Sequence, residues 1–253
     1  MIIEKIDPQD FIVHQDVSND KGVLGITESK IVEIPNFVTP ETAENMVKYF
    51  EEQSERWGPI AFFGSGGMGL APNDPKLPEF GLYGTFFEDL RDKFKEGVEA
   101  VFGRKVKPNT SHAQKWDVGG FAAPHSDNSD FDGNPNPFEI NKYVGILYLN
   151  GDYEGGNLYF VEDDYPETMD QSKIKLEFKP PAYSWVVFPG GVENIHGVRE
   201  VTKGTRYTMV SFWDFEEAEY DEERKAWWEE ETNKIREAQA KQQEEWANGN
   251  KEG

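Results

Sequence analysis

The sequence predicts a mainly β fold with supporting helices, of the jelly-roll or cupin-like kind. Two observations predict it. Two helical patterns occupy the first hundred residues. From about 105 to 215 the period then changes to short runs rich in Val, Ile, Tyr, Phe and Trp, separated by turn clusters. Helices followed by many closely spaced strands imply a β-sandwich or jelly roll buttressed by helices.

The elements follow in chain order. Residues 1–35 mix short apolar runs (Phe11 to Val13, Ile31-Val32) with Gly and Asp, and read as strands and turns. Thr39-Pro40 opens a helix, with a hydroxyl N-cap and Pro in the first turn. Ala43, Met46, Val47 and Phe50 follow at helical spacing. A second helix starts near Phe86 and carries Phe87, Leu90, Phe94, Val98 and Val101 on one face, with Gly103 as its stop. Residues 57–84 between them are rich in Gly and Pro and read as a lid. Tyr143 to Leu149, Asn157 to Val161, Ile174 to Phe178, Trp185 to Phe188, Ile195 to Val201 and Arg206 to Phe215 read as strands. Residues 216–253 form a charged helical extension. Its apolar stripe runs through Tyr220, Trp227, Trp228, Ile235 and Trp246, which either packs on the barrel or makes a homodimer contact. The domain proper is expected over 1–215, as a monomer or dimer.

Composition narrows the function. With 253 residues, 26 basic and 48 acidic, the net charge is −22 and cysteine is absent. A nucleic-acid binder carries a basic footprint, which this chain lacks. The same charge opposes anionic lipid, and no run is long and apolar enough to cross a bilayer. The expectation is a protein of the cytoplasm without nucleic-acid or membrane partners. Without cysteine there are no disulfides, thiolate nucleophiles or iron–sulfur clusters.

Two motifs read as decoys. Gly64-Ser65-Gly66-Gly67-Met68-Gly69 matches a dinucleotide fingerprint, but prolines 72 and 75 oppose the helix that the fingerprint needs. Asn128, Asp130, Asp132, Gly133 and Glu139 fit a calcium-loop spacing, yet prolines 135 and 137 interrupt it, and the plain reading is an acidic surface loop. His14 and His112 sit in strand-like runs without ligand-spaced neighbours and read as structural.

A third constellation carries chemistry. His125 and Asp127 are two apart, so on an extended strand they share a face. With His196 from a second strand they form two imidazoles and a carboxylate, the facial set of non-haem Fe(II) oxygenases that leaves positions open. Val201 and Thr205 are expected to pair across Thr202-Lys203-Gly204 as a three-residue hairpin loop. In that register His196 faces Val210 and Arg206 faces Glu200, about 13 Å apart on one face. A dicarboxylate on the metal would then meet the Arg206 fork.

Four stretches together resemble a known family: Gly119-Gly120-Phe121 through Pro124-His125-Ser126-Asp127, Tyr148-Leu149-Asn150, Tyr153-Glu154-Gly155-Gly156-Asn157-Leu158-Tyr159-Phe160, and His196-Gly197-Val198 through Gly204-Thr205-Arg206-Tyr207. The chain resembles the 2-oxoglutarate- and Fe(II)-dependent dioxygenases, in the prolyl 4-hydroxylase-like branch, over roughly residues 30–215. The resemblance implies a double-stranded β-helix with helices on one sheet. It implies that His125, Asp127 and His196 hold iron, that Arg206 binds the distal carboxylate of 2-oxoglutarate, and that the Tyr148 hydroxyl reaches the same group. Trp116 stands near the position where many members have a tyrosine that contacts 2-oxoglutarate. Many prolyl 4-hydroxylases have lysine where Arg206 stands. The implied cosubstrates are 2-oxoglutarate and O2, with ascorbate as a candidate reductant and succinate and CO2 as products.

The implied substrate is a prolyl residue in a peptide or protein. Trp57, Tyr83, Phe121 and Trp213 are candidate groove residues, and the 57–84 and 128–141 loops are candidate lids. Two other readings stand beside it. One keeps the cofactor chemistry but acts on a free amino acid or another small molecule. The other is a non-catalytic jelly-roll binding module.

Overall fold

The computed structural model describes residues 1–18, 23–53, 57–59, 64–70, 84–162, 164–165 and 170–249. Two helices appear where the spacing places them. In α1 (Pro40–Glu52) the Thr39 hydroxyl accepts from the Thr42 amide. The second, α2 (Gly84–Phe102), ends at Gly103 in the left-handed region with φ 65°. The strands are β1 (Ile12–Ser18), β2 (Glu28–Ile34), β3 (Gly58–Pro59), β4 (Gly64–Leu70), β5 (Val106–His125), β6 (Tyr143–Tyr148), β7 (Glu154–Gly155), β8 (Leu158–Val161), β9 (Ile174–Phe178), β10 (Trp185–Pro189), β11 (His196–Val198), β12 (Val201–Lys203) and β13 (Arg206–Phe215).

The strands run in the order β1-β2-β10-β6-β13-β5-β11-β8-β9, with antiparallel neighbours. The 20-residue β5 belongs to both halves of this sheet. Its first part pairs with β13, and its end pairs with β11 at Ala122 and His125. The two halves face each other across Ile31, Val144, Ile146, Tyr148, Val186, Phe188 and Val210 on one side and Leu158 and Phe160 on the other. This is the double-stranded β-helix that the resemblance implies.

Strand alternation sorts side chains between two cores. On β13, Arg206, Val210 and Phe212 point into the barrel, whereas Met209, Trp213 and Phe215 pack toward α1 and α2. The helix-side core centres on Trp185, which is fully buried against Phe37 and Phe94 at ring separations of 5.0 and 4.9 Å. The indole fits because Gly97 and Gly145 face it from α2 and β6. A Cβ on either would lie 2.4 Å from its ring.

The hairpin expected between Val201 and Thr205 does not form. Both edges of β13 are taken, by β5 and β6, so β11 cannot lie beside it. His196 instead pairs with His125 and Phe160, and Arg206 pairs with Trp116. Residues 201–203 turn aside to pair with β7, and Gly204 (φ 74°) makes the corner.

Of the 57–84 lid candidate, residues 60–63 and 71–83 lie outside the described residues. In the rest, β3 and β4 form a ladder that extends onto β5, so the glycine-rich run is a strand and not a phosphate loop. In the 128–141 loop, the Asp130 carboxylate accepts from the amides of Asp132 and Asn134 at 3.0 and 2.8 Å. Glu139 of the same loop is bound by Arg224 and, at 2.9 Å, by the Trp228 indole. Its carboxylate is therefore committed to α3 (Glu222–Gly249), which does not favour the calcium-loop arrangement. The first turns of α3 are fastened further by Tyr220, which meets Trp228 at 4.6 Å and donates to Asp214 at 3.1 Å. Arg224 lies over Trp227, and Ile235 is half-buried; the Trp246 side chain lies outside the described residues.

The Trp185 slot predicts that Gly145→Ala destabilises the fold by about 1–3 kcal/mol through overpacking. Combining it with Trp185→Phe should recover part of that loss, as read from denaturant midpoints of the single and double variants. Equal midpoints for wild type and Gly145→Ala would contradict the slot.

Candidate active site

The barrel interior opens into a cavity of about 210 Å³ whose wall includes His125, Asp127, His196, Trp116 and Arg206. Local backbone chemistry aims the two histidines. His125 Nδ1 lies 2.8 Å from the Ala123 carbonyl oxygen, and His196 Nδ1 lies 3.0 Å from that of Asn194. A carbonyl only accepts, so each Nδ1 carries the proton and each Nε2 presents a lone pair. Those Nε2 atoms stand 3.9 and 3.6 Å from the two Asp127 carboxylate oxygens. One ligand atom from each of the three side chains lies within 4.8 Å of the others, the separation a single ion can bridge.

The electrostatics fit a cation. Asp127 is 8% exposed, and its Oδ2 is buried with no hydrogen-bond partner among the described residues. Burial pushes its carboxyl up to about 8. Burial also lowers the His125 imidazole to about 4 and holds His196 well below its ordinary value, with His125 as a second cause. Two neutral imidazoles and a carboxylate stripped of water are a donor set for a divalent metal.

The cavity also holds an unmatched cation. Arg206 is 1% exposed and its guanidinium meets no carboxylate among the described residues. Nη2 donates to the Tyr148 hydroxyl at 3.2 Å, while Nε and Nη1 are buried without a hydrogen-bonded acceptor among the described residues, with Tyr153 a further phenol beside the guanidinium. A buried charge left unpaired costs several kcal/mol, so a bound anion is the natural complement. Burial raises the Tyr148 phenol to about 12, keeping it a neutral donor for the same anion. Gly156 lets the chain pass close by: its φ is 64°, and a Cβ there would lie 3.1 Å from Arg206 Cδ. This accounts for the second glycine of the Glu154-Gly155-Gly156 stretch.

Trp116 faces the cavity, 3% exposed, and donates to Gln114 Oε1 at 3.3 Å. The groove residues scatter. Trp213 lies in the helix-side core, on the strand face opposite the cavity. Trp57 packs beside Phe50 and donates to its carbonyl oxygen at 3.1 Å, also on the helix side. Phe121 is 38% exposed and does not line the cavity. Tyr83 lies outside the described residues. The cavity adds Thr110, His112 and Gln114 from β5, with Phe138, Asn141 and Phe212 from neighbouring elements. Counting back by twos from Trp116 along β5 leads to the first three, but prolines and glycines in 106–125 hide that strand.

Residues 111–214 match the sequence profile of the 2OG-Fe(II) oxygenase superfamily. Over these residues the chain is similar to that superfamily. The match spans the strands that carry His125, His196 and Arg206. Human prolyl 3-hydroxylase 1 is 39% identical over 79 residues, covering 31% of this chain and 10% of that protein. Prolyl 3-hydroxylase 2 of Gallus gallus is 38% identical over 79 residues, with the same two coverages. The match thus spans about a tenth of the length of these curated relatives. Among solved structures, a Pseudomonas putida prolyl-4-hydroxylase aligns with TM-score 0.52 at 16% identity, covering 73% of this chain and 92% of that one. HygX from Streptomyces hygroscopicus, solved with nickel and 2-oxoglutarate, aligns at 0.53 with 14% identity, covering 74% and 83%. These two alignments support the fold.

The donor set predicts that Mn(II), as an oxygen-inert probe, stabilises the wild type against heat. At a hundredfold excess over Kd the gain is about 2.7 kcal/mol. His196→Ala and Asp127→Ala should show no gain; an equal gain in either variant would remove these residues from the site.

Proposed function

We propose that this chain is a 2-oxoglutarate- and Fe(II)-dependent dioxygenase that hydroxylates a prolyl residue in a peptide or protein. One observation carries the reading. A buried guanidinium without a counter-ion shares a cavity with two imidazoles and a carboxylate suited to a metal. A dicarboxylate is the ligand that answers both, with one end on the metal and the other on Arg206. The identity with prolyl 3-hydroxylases over 79 residues supports the prolyl substrate.

The overall reaction balances as R–H + 2-oxoglutarate + O2 giving R–OH + succinate + CO2. Bound iron would supply oxygen activation coupled to loss of CO2 from the cosubstrate. The rest falls to the chain. His125, Asp127 and His196 would hold the metal and leave positions open for cosubstrate and oxygen. Arg206 and Tyr148 bind and orient the far carboxylate, so its length sets where the near end sits. Val144, Ile146, Val198 and Val210 line the cavity with apolar surface that keeps bulk water away.

Two outcomes test this. Fe(II) with 2-oxoglutarate under anaerobic conditions should give a weak visible charge-transfer band. Arg206→Met should raise the cosubstrate concentration needed for it by about a hundredfold or more, without loss of metal binding. An unchanged titration would refute the role of Arg206. Succinate release should rise with capped prolyl peptides and not with free proline; stimulation by free proline alone would favour a small-molecule substrate.

A further inference from the structure

The part of the cavity beyond Arg206 carries a fixed polar pattern. Arg206 pairs with Trp116 across the ladder, whereas His112 lies further back along β5 and pairs with Val210. Around His112 stand Phe212, Phe138 and Asn141. The His112 ring stacks on Phe212 at 5.8 Å and 26°. If the cosubstrate runs from Arg206 to the metal, this wall is left for the substrate.

A short chain of hydrogen bonds fixes what His112 offers. The Trp116 indole N–H only donates, so it meets Gln114 Oε1 at 3.3 Å. That orients the amide and turns Gln114 Nε2 toward His112 Nε2 at 3.0 Å. An amide nitrogen only donates, so His112 Nε2 accepts and the proton of the neutral ring sits on Nδ1. Burial lowers this imidazole to about 4, which keeps it neutral. His112 Nδ1–H has no partner among the described residues. Asn141 stands nearby: its Oδ1 accepts from Asn109 Nδ2 at 2.6 Å, which turns its own Nδ2–H donors to the cavity. This wall therefore presents a locked imidazole donor and an amide donor against apolar ring surface. Thr110, whose hydroxyl can play either role, stands at the rim.

We propose that His112 and Asn141 are specificity-determining residues that donate to backbone carbonyl oxygens of the prolyl substrate, with Gln114 as the positioning residue that locks the His112 tautomer. A proline has no backbone N–H, so at the prolyl position the substrate offers only carbonyl acceptors and an apolar ring. Donors without a matching acceptor suit that residue better than any other, whose N–H would be left buried and unpaired. Hence the inference rests on the prolyl reading above and explains how the cavity would select it.

The test uses the full chain with Fe(II), 2-oxoglutarate and a capped Ala-Pro-Ala peptide. His112→Phe keeps the stacked ring and loses the donor. Asn141→Leu keeps the volume, and Gln114→Leu frees the tautomer. Each should raise the KM for peptide about tenfold or more, a larger change than in the KM for 2-oxoglutarate. Replacing the substrate carbonyls one at a time by thioamides should weaken wild type at one position and leave His112→Phe indifferent there. Independently of turnover, nitrogen-15 shifts of His112 should report Nδ1–H in wild type and a mixture of tautomers in Gln114→Leu. Unchanged peptide KM in all three variants, a rise in the 2-oxoglutarate KM instead, or Nε2–H in wild type would overturn the inference. Wild-type protein that turns over no prolyl peptide would overturn the functional reading and this inference with it. Turnover in wild type with indifferent variants would overturn the inference alone.

Discussion

Two ladders on one strand determine this site. β5 pairs with β13 at Trp116–Arg206 and with β11 at His125–His196. The first pairing fixes the guanidinium and the second brings two imidazoles to ring-centroid contact at 4.4 Å. Between them the β5–β11 register slips, with Val198 opposite Ala122 and His196 opposite His125. Such an irregularity re-aims side chains at a barrel rim, and here both Ala122 and His125 face the cavity. A one-residue slip elsewhere in β5 would turn the ligand face outward.

Around that frame the charges are arranged against the trend of the chain. Among the described residues, a protein with net charge −22 leaves one of its most buried cations without a carboxylate and holds a buried carboxylate oxygen without a donor. Both groups lie in one cavity. Neither is stable as it stands, because an unpaired buried charge or polar atom has lost water and gained nothing in return. A metal and an anionic cosubstrate complete both. The apolar walls strengthen these interactions by lowering the local dielectric.

Much of this was legible in the residues. The shared face of His125 and Asp127 follows from strand geometry, whereas His196 and Arg206 come from ligand chemistry and the family resemblance, because the hairpin register expected to join them does not form. Both helices and the main strands were marked by caps, glycines and alternation. The hairpin register was not legible, because Val201 to Gly204 has a hairpin signature whose partner is decided by which edges of β13 are already occupied. The groove aromatics Trp57 and Trp213 failed for a related reason. Large rings are the usual filling of a core, and only the parity set by neighbouring strands shows that these two face the helices. Of the partners of His112, Gln114 is two residues on along the same strand, whereas Phe212 becomes a neighbour only through the β5–β13 ladder. β5 itself was hidden by Pro108, Gly119, Gly120 and Pro124, residues that ordinarily punctuate strands.

The most direct test is a crystal grown anaerobically with Fe(II) and 2-oxoglutarate and measured at the iron absorption edge. The account predicts one anomalous peak bonded to the Nε2 atoms of His125 and His196 and to one Asp127 oxygen, with the distal carboxylate of 2-oxoglutarate on Arg206 and Tyr148. Iron at any other position, or an Arg206 guanidinium still without an anion while the cosubstrate is bound elsewhere, would contradict it.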